Sequence, residues 1–182
     1  MTTGVSIDRE RMSNYSLTIR ACLSDVTARD RCATNITQNL SIKVIDMNDN
    51  SPQFDKRSYH ATLHGAESPG SRVIQVHAVD NDASTINSFI TYHILSTTLP
   101  PARATSTSTL GGLFAVDALS GWLTVIDSLS DVDGDVTVTV AAEDHGDPVR
   151  SSMTTVHVSV TSQRPRITSP PDNVTILVDQ VR

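Results

Sequence analysis

The chain has 182 residues, and 14 Lys and Arg against 20 Asp and Glu give a formal net charge of −6 at pH 7, which argues against a phosphate-binding surface for nucleic acid. With 38% hydrophobic residues and eight each of Gly and Pro, we expect it to fold as one or two domains. It lacks the roughly 18 to 20 apolar residues of a membrane helix and has no signal-peptide plan at its start. An extracellular role therefore predicts a piece of a longer protein.

Short runs that alternate apolar with polar residues recur along the chain, whereas long helical periodicity does not. In chain order they are 15–19, 40–44, 72–76, 122–126, 136–140 and 156–160. One face of such a strand can pack while the other is solvated. Turn signals such as Ser68-Pro69-Gly70 and Gly146-Asp147-Pro148 separate the runs. The pattern predicts an all-β sandwich.

The sequence also repeats itself in outline. Residues 15–21, a loop and residues 40–44 are matched by 136–142, a loop and 156–160. This spacing is longer than a solenoid repeat and fits a whole sandwich domain. We therefore expect tandem domains that are cut at both ends.

Carboxylates and amides collect in four segments beside these strands, namely 8–10, 46–54, 78–82 and 142–144. Ca²⁺ takes about six to eight oxygen ligands, and no thiol or imidazole interrupts the four segments. Asp and Asn also serve as turn formers, which is the usual explanation for any single segment. Because all four stand at corresponding places relative to the strands, we favour calcium binding.

These segments resemble the extracellular repeats of the cadherin superfamily. Asp46-Met47-Asn48-Asp49-Asn50-Ser51-Pro52-Gln53-Phe54 matches the family's inter-repeat linker, and Asp8-Arg9-Glu10 matches its Asp-Arg-Glu. Residues 76–82 and 142–148 resemble later landmarks in the family's order. The resemblance implies an all-β, seven-strand Greek-key immunoglobulin-like sandwich. It divides the chain into the last two strands of a truncated repeat with the linker start (1–48), a complete repeat (49–162) and the start of another (163–182).

The resemblance also implies calcium ions at the junction between the first two repeats. Two upstream ions are expected to use Asp8, Glu10 and Asp49, with the Met47 carbonyl and Asp82 joining the second of them. A third is expected within Asn48, the Asn50 carbonyl, Asp80, Asp82, the Asn87 carbonyl and Asp144. Asp46 is expected behind these ligands, without touching an ion.

The second junction departs from the family's pattern. After Val160 the chain reads Thr161-Ser162-Gln163-Arg164-Pro165-Arg166-Ile167, without the linker's run of Asp and Asn. Glu67 and Asp131 or Asp133 stand where acidic ligands are expected, and Arg164 and Arg166 can pair with them instead. We expect a calcium-poor or calcium-free joint there.

Cys22 and Cys32 bracket the loop of the first segment, and a disulfide is favoured over two free thiols. Two Cys with no nearby His make a poor metal site. Asn14, Asn35, Asn39 and Asn173 begin Asn-x-Ser/Thr glycosylation acceptors, which support secretion weakly.

The resemblance implies calcium-dependent cell-cell adhesion rather than catalysis. The expected partners are other cadherin ectodomains, in homophilic or heterophilic contact. We expect the chain to lie at the cell surface, as part of a single-pass membrane protein. The alternative is a secreted β-sandwich glycosidase that uses paired carboxylates such as Asp80 and Asp82. An aromatic-lined sugar cleft is hard to build with 4% aromatic residues, so we favour adhesion.

Overall fold

The structure, a computed structural model, describes residues 6–24, 32–100 and 112–161. Its regular elements are strands: β1 (Asn14–Ser24), β2 (Cys32–Lys43), β3 (Gln53–Phe54), β4 (Ser58–His64), β5 (Arg72–Gln75), β6 (Ala78–Val79), β7 (Thr91–Thr98), β8 (Phe114–Val116), β9 (Trp122–Val125), β10 (Gly134–Glu143) and β11 (Ser151–Thr161). Within the described residues, no helix is long and apolar enough to cross a lipid bilayer.

Two sheets form the main body of the protein. The larger has the strand order β4-β11-β10-β7 and the smaller has the order β5-β9-β8. β4 runs parallel to β11, whereas the other pairs in these sheets are antiparallel. Sequence neighbours are therefore not always sheet neighbours, as in Greek-key sandwiches. The predicted all-β sandwich is confirmed.

The core lies between these two sheets, and the alternation of β10 and β11 explains how it forms. Val138 pairs with Val156 in the antiparallel ladder, and Val136 pairs with Val158. All four valines are fully buried, as is Leu123 on the opposite sheet. Burying a side chain of this size stabilises the fold by about 1.5–3 kcal/mol. The period-2 pattern thus gives each strand one inward face.

The hairpin β1-β2 precedes this sandwich and has a different environment. Leu17 lies opposite Leu40, and Tyr15 opposite Ile42, so their side chains share one face. Leu17 is nevertheless 48% exposed and Leu40 45%, since no other described strand packs on this face.

The predicted disulfide falls at the loop end of this hairpin. In the ladder, Cys22 lies opposite Asn35 and Cys32 opposite Ser24. The side chains of both cysteines lie outside those that the structure describes. The disulfide therefore stays a prediction. The ion pairs expected of Arg164 and Arg166 with Glu67 and Asp131 or Asp133 also stay predictions, because both arginines fall outside the described ranges.

Short pairings bring the predicted ligand segments to one end of the sandwich. Gln53 pairs with Val79 and Phe54 with Ala78, which fastens the end of the linker beside β6. Asp80 follows β6 directly, and Asp144 follows β10 directly. The loops that leave these strands therefore meet the linker that enters the sandwich.

Candidate metal centre

Four polar side chains lie buried where the linker meets the sandwich. Their exposed fractions are 5% for Asn48, 9% for Asp80, 5% for Asp82 and 2% for Asp144. Each presents one oxygen without a hydrogen-bond partner in the described structure: Asn48 Oδ1 and the Oδ2 atoms of the three aspartates. Leaving such atoms buried and unpaired costs free energy, and a hard cation with oxygen ligands would compensate them.

The other carboxylate oxygen of each aspartate is held by the backbone or by an amide. Asp80 Oδ1 accepts the N–H of Asp82 at 2.9 Å. Asp82 Oδ1 accepts Asn50 Nδ2 at 2.7 Å, and also the Asn50 backbone N–H at 3.2 Å. Asp144 Oδ1 accepts the backbone N–H of Arg150 at 3.0 Å. These bonds fix each carboxylate while one oxygen stays available.

The electrostatics of the cluster favour a cation. Burial raises the pKa of Asp80, and the negative charges of Asp82 and Asp144 raise it further, while Arg150 partly opposes them. A raised carboxyl pKa shows that the ionised form is penalised at this position. A divalent ion would remove that penalty.

Asn48, in the middle of the linker, is inserted into the loop between β10 and β11. Its Nδ2 donates to Asp144 Oδ1 at 3.0 Å and to the Pro148 carbonyl at 2.6 Å. Because both amide hydrogens are used, Oδ1 is the atom left for a metal. A Cβ at Gly146 would lie 2.3 Å from Asn48 Nδ2, so this approach requires glycine there. Arg150 Nε also donates to the Asn48 carbonyl at 2.7 Å.

A second group of oxygens lines an open cleft of about 540 Å³ beside the buried cluster. Its lining residues are Asp8, Glu10, Asp49, Asn50 and Asn81. Desolvation raises the pKa of Glu10, and a hydrogen bond with Asp46 and the charge of Asp49 raise it further. Carboxylates this close repel one another, which is the electrostatic condition that cation binding relieves.

Asp46 uses both carboxylate oxygens on the segment after Asp82. Oδ2 accepts the Ser84 N–H at 2.7 Å and Asn87 Nδ2 at 3.0 Å, and Oδ1 accepts the Ala83 N–H at 3.3 Å. Although desolvation opposes the shift, the hydrogen bonds from Ser84 lower the pKa of Asp46. Asp46 thus fastens the linker to this segment and leaves no unpaired buried oxygen.

The predicted ligands fall into three sets in the structure. Asn48, Asp80, Asp82 and Asp144 form the buried cluster, and Asp8, Glu10, Asp49 and Asn50 line the cleft. Met47 and Asn87 were expected to bind through their carbonyls. The Met47 carbonyl accepts the Asp49 N–H at 2.9 Å, and the Asn87 side chain bonds to Asp46.

Sequence reasoning missed Asn81 and Arg150. Asn81 stands between two predicted ligands, which was a usable signal, whereas Arg150 is 102 residues from Asn48 and no local pattern links them. Within the described ranges, no three His, Cys, Asp or Glu side chains form a metal-binding group by themselves. The unpaired oxygens of the buried cluster come from one amide and three carboxylates, and an all-oxygen donor set suits calcium better than zinc.

The sequence of this chain is similar to those of known proteins. The family model described as "Cadherin domain" matches residues 59–161. Protocadherin Fat 4 of Homo sapiens is 33% identical over 141 residues, which cover 76% of this chain and 3% of that protein. Human Protocadherin-7 is 29% identical over 165 residues, covering 90% of this chain and 14% of that protein. The chain thus spans a small part of these relatives.

Solved structures agree with the sequence relatives. Repeats 3–6 of protocadherin gammaB7, solved as a cis-dimer, superpose with a TM-score of 0.69 at 25% identity, covering 87% of this chain and 35% of that one. Repeats 22–24 of mouse Cadherin-23 give a TM-score of 0.64 at 31% identity, covering 87% and 45%. None of these proteins is named as an enzyme. The chain belongs to the cadherin family, with a cadherin domain over residues 59–161.

Proposed function

We propose that this chain is an extracellular cadherin-repeat segment in which calcium, bound where the linker meets the complete repeat, stiffens the connection between repeats for cell-cell adhesion. The observation that carries this proposal is the set of four buried side chains that each hold an unpaired oxygen. Cadherin repeats bind calcium between repeats, and the donor set here has the chemistry that calcium prefers.

Charge explains why calcium would stiffen this joint. Seven carboxylates meet there: Asp8, Glu10, Asp46, Asp49, Asp80, Asp82 and Asp144. Without cations their repulsion favours separating the first hairpin from the sandwich. Calcium ions that bind residues on both sides of the joint oppose that separation, because opening the joint would remove some of each ion's ligands. The segment that precedes β1 supplies Asp8 and Glu10 only when the joint is closed.

The ligands that we expect are those that the resemblance to cadherin repeats implies. Asn48, Asp80, Asp82 and Asp144 would hold one ion, with carbonyls of Asn50 and Asn87. Asp8, Glu10 and Asp49 would hold upstream ions, with the Met47 carbonyl and Asp82. Extracellular calcium modules bind with a Kd of about 10⁻⁴ to 10⁻³ M, and we expect this range here.

The adhesive part of the proposal concerns partners beyond this chain. The gammaB7 protocadherin structure is a cis-dimer, which supports other cadherin ectodomains as the class of partner. We place the segment at the cell surface, within a single-pass membrane protein. A glycosidase centred on Asp80 and Asp82 has no support, because both carboxylates are at least nine-tenths buried and leave no room for a sugar.

Calorimetric titration of calcium into the full chain tests the metal centre. Asp82→Asn keeps the acceptor for Asn50 but removes a charge from both groups of oxygens, so we expect weaker binding by at least about tenfold. Asp133→Asn, a matched change at the other end of the repeat, should leave the affinity within about twofold. A larger loss from Asp133→Asn would mean that the junctions are assigned backwards, and no calcium heat in the native chain would refute the proposal.

A further inference from the structure

The Arg150 side chain joins the β10-β11 loop to the backbone of the linker. Its Nε donates to the Asn48 carbonyl at 2.7 Å, and its backbone N–H donates to Asp144 Oδ1 at 3.0 Å. The Arg150 carbonyl in turn accepts the Asp144 N–H at 3.0 Å. Arg150 therefore links one proposed ligand to another, without itself offering an atom to a cation.

The contact is part of a latch that we define as Asn48, Asp144, Gly146, Pro148 and Arg150. On one side, the Asn48 amide donates to Asp144 and to the Pro148 carbonyl. On the other, the guanidinium holds the Asn48 carbonyl. The latch therefore binds both the backbone and the side chain of Asn48. Together these bonds fix the direction of the unpaired Asn48 Oδ1. All these bonds are made by protein atoms alone.

The charge of Arg150 has a second effect. Its guanidinium is the positive group that opposes the rise in the pKa of Asp80, so it partly compensates the buried carboxylates. Arg150 therefore affects cation binding in two opposite ways. Holding the linker in place favours binding because less ordering remains to be done, whereas a nearby positive charge disfavours it.

We propose that Arg150 is a positioning residue that holds the linker in its ligand-presenting conformation before any cation arrives. The positioning effect outweighs the charge repulsion, because Arg150 bonds directly to the Asn48 backbone, while its part-buried side chain keeps some contact with solvent that screens its charge. The importance of the latch for calcium rests on the function proposed above. The latch itself consists of bonds between protein atoms and is tested in the absence of calcium.

Amide hydrogen exchange of the full chain in EGTA measures the latch directly. In Arg150→Leu, we expect the Asn48 side-chain amide and the Asn50 backbone amide to exchange about tenfold faster, the size expected for losing one hydrogen bond from a charged donor. The Val138 amide in β10 should exchange at an unchanged rate, because the sandwich core is not altered. Unchanged exchange at Asn48 and Asn50 would overturn the proposal.

Arg72→Leu is the matched control, since it removes the same charge from a residue that stacks on Trp122 in the other sheet. It should leave exchange at Asn48 unchanged. Arg150→Lys keeps the charge without the fixed Nε donor, so its exchange should resemble that of Arg150→Leu. Full rescue by lysine would mean that the fixed guanidinium geometry is not needed, which would also overturn the positioning role.

Calcium titration of the same variants separates this inference from the proposed function. We expect Arg150→Leu to bind calcium several-fold more weakly than the native chain, and tighter binding would show that repulsion dominates and would overturn the proposal. Faster exchange in EGTA, together with no calcium binding by any variant, would support the latch and refute the metal centre.

Discussion

The two hairpins β1-β2 and β10-β11 have similar sequences and the same antiparallel pairing, but their apolar faces meet different surroundings. Ile19 in β1 corresponds in the internal repeat to Val140 in β10. Val140 is 0% exposed because the β5-β9-β8 sheet covers it, whereas Ile19 is 55% exposed. The same alternation therefore produces a core strand in one place and an uncovered strand in the other. Alternation sets which side chains share a face, and only an opposing layer makes that face a core.

The ends of the two hairpins differ as well. The strand β10 leads into Asp144, which is buried in the oxygen cluster, whereas the first hairpin has Leu23 at the corresponding position of the repeat. The β10-β11 loop can therefore contribute a carboxylate to a cation, and the β1-β2 loop cannot do so from that position. The strands of a hairpin thus determine how it packs, whereas the residues of its loop determine whether it can bind a cation.

The largest expected effect is on core packing. Val140→Ala should lower the free energy of unfolding by about 2 kcal/mol, because it leaves a cavity in a covered face. Ile19→Ala removes more carbon atoms but should cost less than about 1 kcal/mol, because its site is already half in water. Urea unfolding of both variants measures the difference. Equal losses would show that another part of the protein covers the first hairpin.

The next effect concerns calcium and the loop after β10. At calcium concentrations about tenfold above the Kd, binding should stabilise the repeat by about 1.4 kcal/mol, and Asp144→Asn should abolish most of this gain. Asp135→Asn is the control, because Asp135 lies at the opposite end of β10 and bonds to the Ser159 hydroxyl outside the cluster. Thermal unfolding with calcium and with EGTA provides the measurement. An undiminished calcium response in Asp144→Asn would contradict the assignment of this loop.

A smaller effect is expected on the pH dependence of stability in EGTA. Because burial raises the pKa of Asp80 above 3.8, the folded state holds this proton more tightly than the unfolded state does. Its contribution to stability is present below pH 3.8 and is lost as the pH rises through the folded-state pKa. Asp80→Asn should therefore be more stable than the native chain at pH 7 and no more stable near pH 3.

Asp46 has the opposite shift, so its contribution is lost as the pH falls through its lowered pKa. Subtracting the free energy of unfolding of the native chain from that of Asp80→Asn at each pH removes most of the contribution of Asp46. Urea unfolding between pH 3 and pH 7 gives that difference. A difference that does not grow with pH would mean that Asp80 is not penalised when ionised. Added calcium should reverse the order of the two proteins at pH 7.

The smallest effects are expected from exposed hydrogen bonds on the two hairpins. Thr18 Oγ1 donates to Asn39 Oδ1 at 2.9 Å in the first, and Ser159 Oγ donates to Asp135 Oδ1 in the second at 2.6 Å. Thr18→Ala should cost at most about 0.5 kcal/mol, and Ser159→Ala about 1 kcal/mol because its acceptor is charged. Chemical denaturation in moderate salt measures both, and a larger loss from Thr18→Ala would reverse this order.

The sequence by itself determined the strands and the segments that carry oxygen ligands. Alternation over 136–140 and 156–160 is a local property, so it predicts the inward face of each strand without knowledge of the partner. The linker beginning at Asp46 is likewise contiguous, and its resemblance to cadherin linkers named the family correctly. Features that are encoded by neighbouring residues could be found in this way.

Only the tertiary structure decided which of these features act together. Ile19 and Val140 have similar sequence surroundings, and the presence of an opposing sheet alone determines that one is exposed and the other buried. Arg150 carries no motif, yet folding brings its Nε to 2.7 Å from the Asn48 carbonyl. Hydrogen bonds and burial depend on distances in space, and residues 102 positions apart in the chain acquire a fixed distance only when both are held by the packed sandwich.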